Sequence, residues 1–198
     1  MFMKKKKLAV QIYGTPVLRN VSEEITEITE EIKTLAEDMI DSMYKNNGIG
    51  LAAPQIGKNI RMFTIDVRMS EDEVYESPGE AMLCPRMPMA LINPVITRTS
   101  DEETCFNEGC LSIPEINADV VRPEYIQLQA TTIEGQKIDL WCGGLLSRCV
   151  QHEIDHLDGI MFTDRAEEES LKEVAADLED LRQKTVNRLD RRKKRRKK

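Results

Sequence analysis

The chain has only two histidines in 198 residues, and they stand four apart in His152-Glu153-Ile154-Asp155-His156. On a helix this spacing stacks both imidazoles on one face, where two neutral nitrogens grip one metal ion. Glu153, one residue further on, is close enough to move a proton on a water beside that ion without being a ligand. Two histidines placed at random fall four apart about once in a hundred times, and a glutamate directly after the first makes the pattern roughly tenfold rarer. The spacing therefore points to metal-dependent hydrolysis.

A catalytic site of this kind takes three protein ligands and keeps a position open. Two sources for the third ligand compete. A glutamate among Glu167, Glu168 and Glu169 would make the chain a zinc endopeptidase of the HExxH type, although these residues also suit an acidic, solvated helix start. The longer HExxHxxGxxH pattern is matched as far as Gly159 and fails at Phe162. Cys110, within Glu108-Gly-Cys-Leu-Ser-Ile-Pro114, offers a thiolate whose charge two imidazoles lack, but a lone cysteine is often only a small buried hydrophobe. Spacing leaves the choice open. A non-catalytic nucleic-acid-binding protein with a structural metal is a third class. It would need a fourth protein ligand, and no second cysteine stands at CxxC spacing from Cys110.

The elements that must position these groups follow from periodicity. Residues 30–45 read as a helix, with Ile32, Leu35, Met39, Ile40 and Met43 on one face, Thr29 as cap and Asn46-Asn47-Gly48 as stop. Gly48 to Gly57 is an apolar loop bracketed by glycines, and Ile60–Val67 is a strand. Residues 69–89, with Ser, Glu, Asp, Gly and three prolines, read as an irregular surface excursion. Leu91–Thr99, Val120–Ala130 and Lys137–Trp141 are β-branched segments that read as strands. A helix starts near Leu145 and ends at Asp158-Gly159, and a last one, about 166–190, aligns Leu171, Val174, Leu178 and Leu181. This order predicts an α+β fold, with antiparallel or mixed sheets around a central HExxH helix, an N-terminal helix and a C-terminal helix.

Composition sets the outer bounds. Apolar residues make up 40% and charged residues 32%, which fits one folded domain. No apolar run reaches the roughly 18 residues of a membrane span, and the lysine cluster near the start has no apolar segment typical of a secretion signal behind it. Five cysteines, an odd number, argue against a disulfide framework and for a reducing, cytoplasmic setting. The net charge of −7 conceals an asymmetry: residues 188–198 hold nine Lys/Arg against one Asp. The division expected is a catalytic domain over 1–165, a helix over 166–187 and a disordered polybasic tail over 188–198 that meets acidic surfaces such as ribosomal RNA.

Three segments in order, GIGLAAPQIG at 48–57, EGCLS at 108–112 and QHEIDH at 151–156, resemble the motif set of bacterial peptide deformylases. The likeness runs from about Val17 to Arg165 and includes Gly14-Thr-Pro-Val-Leu18, Leu91-Ile-Asn-Pro94 and Asp158-Gly-Ile-Met-Phe162. The 69–89 excursion, longer than in compact members, and the basic end depart from the usual pattern. The resemblance implies removal of the formyl group from the N-terminal formyl-methionine of nascent polypeptides, with release of formate. It makes Cys110, His152 and His156 the metal ligands. Glu153 is then the group that takes a proton from water and returns it to the leaving amine. The Gln55 amide and the Leu111 backbone N–H meet the developing oxyanion. It further implies one divalent ion, Fe²⁺ in the cell, with Ni²⁺, Co²⁺ or Zn²⁺ able to substitute. Ile49, Gly50 and Leu51 would pair with an extended peptide, and Leu145 and Cys149, seven and three residues before His152, would line the methionine slot.

Overall fold

The computed structural model describes residues 8–68 and 74–196. Helix α1 spans Glu30–Lys45, and Thr29 Oγ1 caps it by accepting from the Ile32 N–H at 3.4 Å. Short strand β1, Gly50–Ala52, leads to β2, Met62–Ile65. Helix α2, Pro78–Leu83, precedes β3, Met89–Thr99. Four strands follow: β4, Glu103–Cys110; β5, Ile113–Pro123; β6, Ile126–Thr132; and β7, Lys137–Cys142. Helix α3, Gly144–Leu157, carries both histidines, and α4, Glu168–Arg196, ends the described chain.

The strands form two antiparallel sheets, one of five strands ordered β1-β2-β3-β6-β7 and a hairpin of β4 and β5. Helix α3 packs on the large sheet through Leu146, Val150, Ile154 and Leu157, which share a core with Phe63, Leu91 and Leu128. Helix α1 packs behind β2 and β3 through Met39 and Met43. The expected face of α4 is the one used: Leu178 is buried, with Leu171, Val174 and Leu181 packed beside it, against Ile113, Val120 and Phe162.

The sequence reading needs four corrections. Val120–Ala130 is not one strand: the chain leaves the hairpin at Pro123 and enters the large sheet at Ile126, since Pro123 has no N–H to continue a ladder. Strands β1 and β4 were not foreseen, because β1 is three residues long and β4 is largely exposed and polar. The excursion is not irregular throughout. Residues 69–73 lie outside the described residues, but Ser77-Pro78-Gly79-Glu80 starts α2 with a reciprocal cap, Ser77 Oγ accepting from the Glu80 N–H at 3.2 Å and donating to Glu80 Oε2 at 2.9 Å. Gly79, Glu80, Leu83 and Cys84 are buried there. Finally, α4 runs through the polybasic segment as far as Arg196, residues 197 and 198 lying outside the described part. Arginine and lysine are good helix formers, and cations at the C-terminal end meet the negative pole of the helix.

Helix α4 holds to the body by that apolar seam, so Leu178→Ala should lower the unfolding free energy by about 2–5 kcal/mol, measured by urea denaturation. A loss under about 0.5 kcal/mol would mean that α4 does not dock.

Candidate metal centre

Strand β4 and helix α3 bring the reactive groups together. At the end of β4 the register slips between Gly109 and Cys110, and the chain turns so that Cys110 faces Ile113. Bulges of this kind re-aim side chains, and Cys110 Sγ comes to 3.2 Å from His156 Nε2. The donor atoms of Cys110, His152 and His156 all lie within 4.8 Å of one another, and the two imidazoles stand edge to face, 4.9 Å between centroids. Glu167, Glu168 and Glu169 are exposed at the root of α4 and take no part in this group. The cysteine, not the downstream glutamates, completes the cluster.

The surroundings orient these donors. His152 Nδ1 lies 3.0 Å from Glu108 Oε2; a carboxylate only accepts, so Nδ1 carries the proton and Nε2 is left for an ion. Gln55, 1% exposed, accepts from the Ala52 N–H through Oε1 at 2.7 Å and points Nε2 at Cys110 Sγ, 3.4 Å, and Ser112 Oγ, 3.3 Å. The Ser112 N–H also donates to Cys110 Sγ at 3.4 Å. Burial opposes ionisation of Cys110, but the neighbouring imidazoles outweigh it and hold the thiol well below its ordinary range. The same pairing acts in reverse on His152: burial lowers its pKa, yet the Cys110 and Glu108 hydrogen bonds carry it up to about 10.

Glu153 is 3% exposed, and its Oε2 has no hydrogen-bond partner among the described residues. Burial pushes its carboxyl up to about 7, the range in which a group both takes and gives a proton near neutral pH. It sits against β1: a Cβ on Gly50 would lie 2.2 Å from Glu153 Oε1 and 2.9 Å from Cys149 Sγ. Glycine is required there by simple space.

These groups face a cleft of about 520 Å³, lined among others by Ile49, Gly50, Gln55, Leu111, Leu145, Cys149, His152 and Glu153. Leu145 and Ile49 are half-exposed at its rim, while Cys149 is buried. Leu51 differs: its side chain is fully buried in the α1 core and is absent from the lining. The sequence reading passed over Glu108, Arg122, Arg148 and Asp155 as functional neighbours, and it also missed Phe106, which is exposed on the lining and has Arg148 over its ring at 5.6 Å. Glu108 had a signal, being the first residue of the EGCLS motif. The arginines had none, because their partners are distant in sequence.

A cysteine and two histidines lie close enough together to hold one metal ion, with a buried carboxylate beside them. The comparisons with known proteins narrow the reading. The polypeptide deformylase family model matches residues 7–174. The peptide deformylase of Salinibacter ruber is 44% identical over 79% of this chain and 79% of its own. Among solved structures, peptide deformylase 1B of Arabidopsis thaliana with an inhibitor superposes with a TM-score of 0.77, at 35% identity over 90% of this chain and 92% of that one. The Synechococcus elongatus peptide deformylase in complex with actinonin gives 0.74, at 36% identity over 89% and 91%. The chain belongs to the polypeptide deformylase family, and is an enzyme.

Because Gly50 leaves room for the carboxylate, Gly50→Ala should keep metal content near wild type and lower formate release about a hundredfold, the effect expected if turnover depends on where Glu153 sits to within roughly 1 Å. Turnover equal to wild type would show that Glu153 does not need that space.

Proposed function

We propose that Cys110, His152 and His156 hold one divalent metal ion and that Glu153 moves the proton in hydrolysis of the formyl group from the N-terminal formyl-methionine of nascent polypeptides, releasing formate. The observation that carries the reading is the convergence of the three donors within 4.8 Å beside a buried, unpartnered carboxylate oxygen of Glu153. The donors suit such an ion: a thiolate neutralises half of its charge, and Glu108 fixes the His152 ring so that Nε2 is free. Iron(II) is the proposed native metal, with Ni²⁺, Co²⁺ or Zn²⁺ as substitutes; thiolate and imidazole bind all four, so supply decides among them.

When bound, the ion supplies Lewis acidity, lowering the pKa of a water and polarising the formyl oxygen. Glu153 receives the proton that water loses on attack and delivers it to the departing amine, so the same carboxylate is base and then acid. Gln55 Nε2 and the Leu111 N–H are assigned to the formyl oxygen as its negative charge grows, each worth about 3 kcal/mol in the transition state. The edge of β1 at Gly50 and the backbone of Leu51, with Ile49 just before it, receives the peptide as an added strand. Leu145 and Cys149 form the methionine slot.

The basic end of α4 is proposed to dock the enzyme on ribosomal RNA. Lys184, Asn187, Arg188, Arg191, Arg192 and Arg195 line one shallow groove, at the three- and four-residue steps that share a helix face. Each neutralised phosphate releases counterions. The five cysteines are free thiols, and no described helix is long and apolar enough to cross a membrane; both suit the proposed cytoplasmic setting.

Glu153→Gln should retain about one metal per chain and lose at least about a hundredfold in formate release from formyl-Met-Ala-Ser. Near-normal turnover would exclude Glu153 as the proton carrier, and loss of metal would make it a ligand. Deleting 190–198, beyond half-buried Leu189, should leave tripeptide turnover unchanged and reduce ribosome co-sedimentation, most visibly at low salt. Equal co-sedimentation of both forms at one salt concentration would end the docking idea.

A further inference from the structure

Helix α3 has no cap of its own. Gly143, before its first turn, contributes no side chain, and the first turn holds no acidic residue. The first N–H groups of a helix lack partners within it, and here that end is enclosed: Gly143 is buried and Leu146 is 1% exposed. One partner comes instead from the residue that caps α2. Ser77 Oγ accepts from the Gly143 N–H at 2.9 Å. Glu80, 4% exposed, has its Oε2 occupied by Ser77 Oγ–H at 2.9 Å and the Glu76 N–H at 3.0 Å. Its Oε1 faces Gly144, where a Cβ would lie 2.9 Å away. Gly144 also has φ +53°, so glycine alone meets both the space and the backbone angle. The buried carboxylate thus stands at the positive pole of α3.

Packing holds α2 in this place. A Cβ on Gly79 would lie 2.5 Å from Cys142 Sγ and 2.7 Å from the Trp141 carbonyl oxygen, so α2 lies flush against the end of β7. One residue beyond Gly144 is Leu145, 49% exposed at the rim of the cleft. His152, seven residues beyond Leu145, lies about 10 Å further along the axis, at roughly 1.5 Å per residue. The cap therefore acts on the first turn, which carries the wall of the slot, and hardly on the metal ligands two turns away.

We propose that Ser77 and Glu80 are positioning residues: by capping α3 from the start of α2, they keep its first turn wound and fix Leu145 against the methionine side chain, setting substrate affinity rather than rate. This rests on the reading of the cleft given above. The test uses the full-length metal-loaded enzyme. Ser77→Ala and Glu80→Ala should raise KM for formyl-Met-Ala-Ser about five- to tenfold, the factor a lost cap corresponds to, with kcat and metal content within about twofold of wild type. Ser77→Thr, which keeps the hydroxyl, should restore KM. Glu80→Gln, which keeps an acceptor but removes the charge, should fall between. Hydrogen exchange at the Leu145, Leu146 and Ser147 amides should accelerate in the Ala variants while exchange at His156 does not change, a readout independent of turnover. Unchanged KM and unchanged exchange would overturn the proposal, as would loss of metal together with kcat. Should Ser77→Ala fail to fold, Glu80→Gln decides. A wild-type enzyme that released no formate would instead overturn the functional reading, with the exchange data still testing the cap.

Discussion

The Glu108 carboxylate can be buried between the hairpin and α3 only because three cationic or imidazole side chains converge on it. Arg122 donates to it twice, at 2.7 and 2.9 Å, Arg148 once at 2.8 Å, and His152 Nδ1 lies 3.0 Å away. Burial alone would raise its pKa; the hydrogen bonds from His152 and Arg122 outweigh that and hold it well below the usual carboxylate range. Arg122 then continues to Asp155 at 2.7 Å, and Arg165 closes on the same carboxylate at 2.6 and 2.7 Å. The chain of charges joins β4, β5, α3 and the root of α4. Removing one member of such a set leaves a buried charge uncompensated, at a cost of about 3–5 kcal/mol. Among the described residues the hairpin shares no strand pairing with the large sheet, and this network ties it to α3, which packs on that sheet; one end of it is a histidine of the candidate metal cluster. Stability and ring orientation therefore depend on the same hydrogen bonds.

That tie also explains why a cleft exists at all. Among the described residues the two sheets stay separate, and β1 and β4 each stand at an edge of their own sheet. Unpaired edges are usually a hazard, because they recruit other strands. Here β1 is three residues long and ends at Ala52, which limits what it can recruit. On the proposed reading, an extended peptide would use such an edge without the hazard becoming aggregation. Gly50 allows the edge to approach Glu153 closely, so the backbone that would receive the substrate and the carboxylate that would serve it are held in direct contact.

Much of this was legible in the residues, and what was not has a physical reason. Helix α1 was readable to its last residue because Thr29, an apolar stripe and Asn46-Asn47-Gly48 agree with one another. The HExxH spacing marks the two histidines locally. Cys110 was different: its thiolate charge and its place before a turn made it the better third ligand, spacing alone left the choice open, and the family resemblance decided it. The Glu108–Arg122–Asp155 chain was invisible, since its members are 14 and 33 residues apart in sequence and no periodicity links them. Helix α2 was hidden by its composition: prolines and glycine suggested a loop, although Ser77-Pro-Gly-Glu80 is a helix start. Leu51 looked like its neighbours in GIGLAAPQIG, yet in a strand alternate residues face opposite sides, and its side chain went to the α1 core.

Helix α4 shows how one element can serve two environments. Up to Thr185, 3% exposed, its inward residues are apolar or small and pack on the hairpin. Residues 191–195 are exposed and cationic without exception. Such a run repels itself, and two features offset that repulsion: the helix C-terminus attracts cations, and the docked half supplies the nucleation that an isolated basic helix would lack. Asp180–Lys184 and Glu179–Arg182 pairs bridge the transition between halves. The rest of the chain, residues 1–187, carries 34 acidic against 19 basic residues, so an RNA surface would repel the body while attracting this end. Opposite signs at opposite parts of one molecule give an orientation as well as an affinity. On the proposed reading, that orientation matters because the substrate offers a single formyl group at the tip of an emerging chain, and the helix that would hold the enzyme there is packed on the same hairpin that carries Cys110.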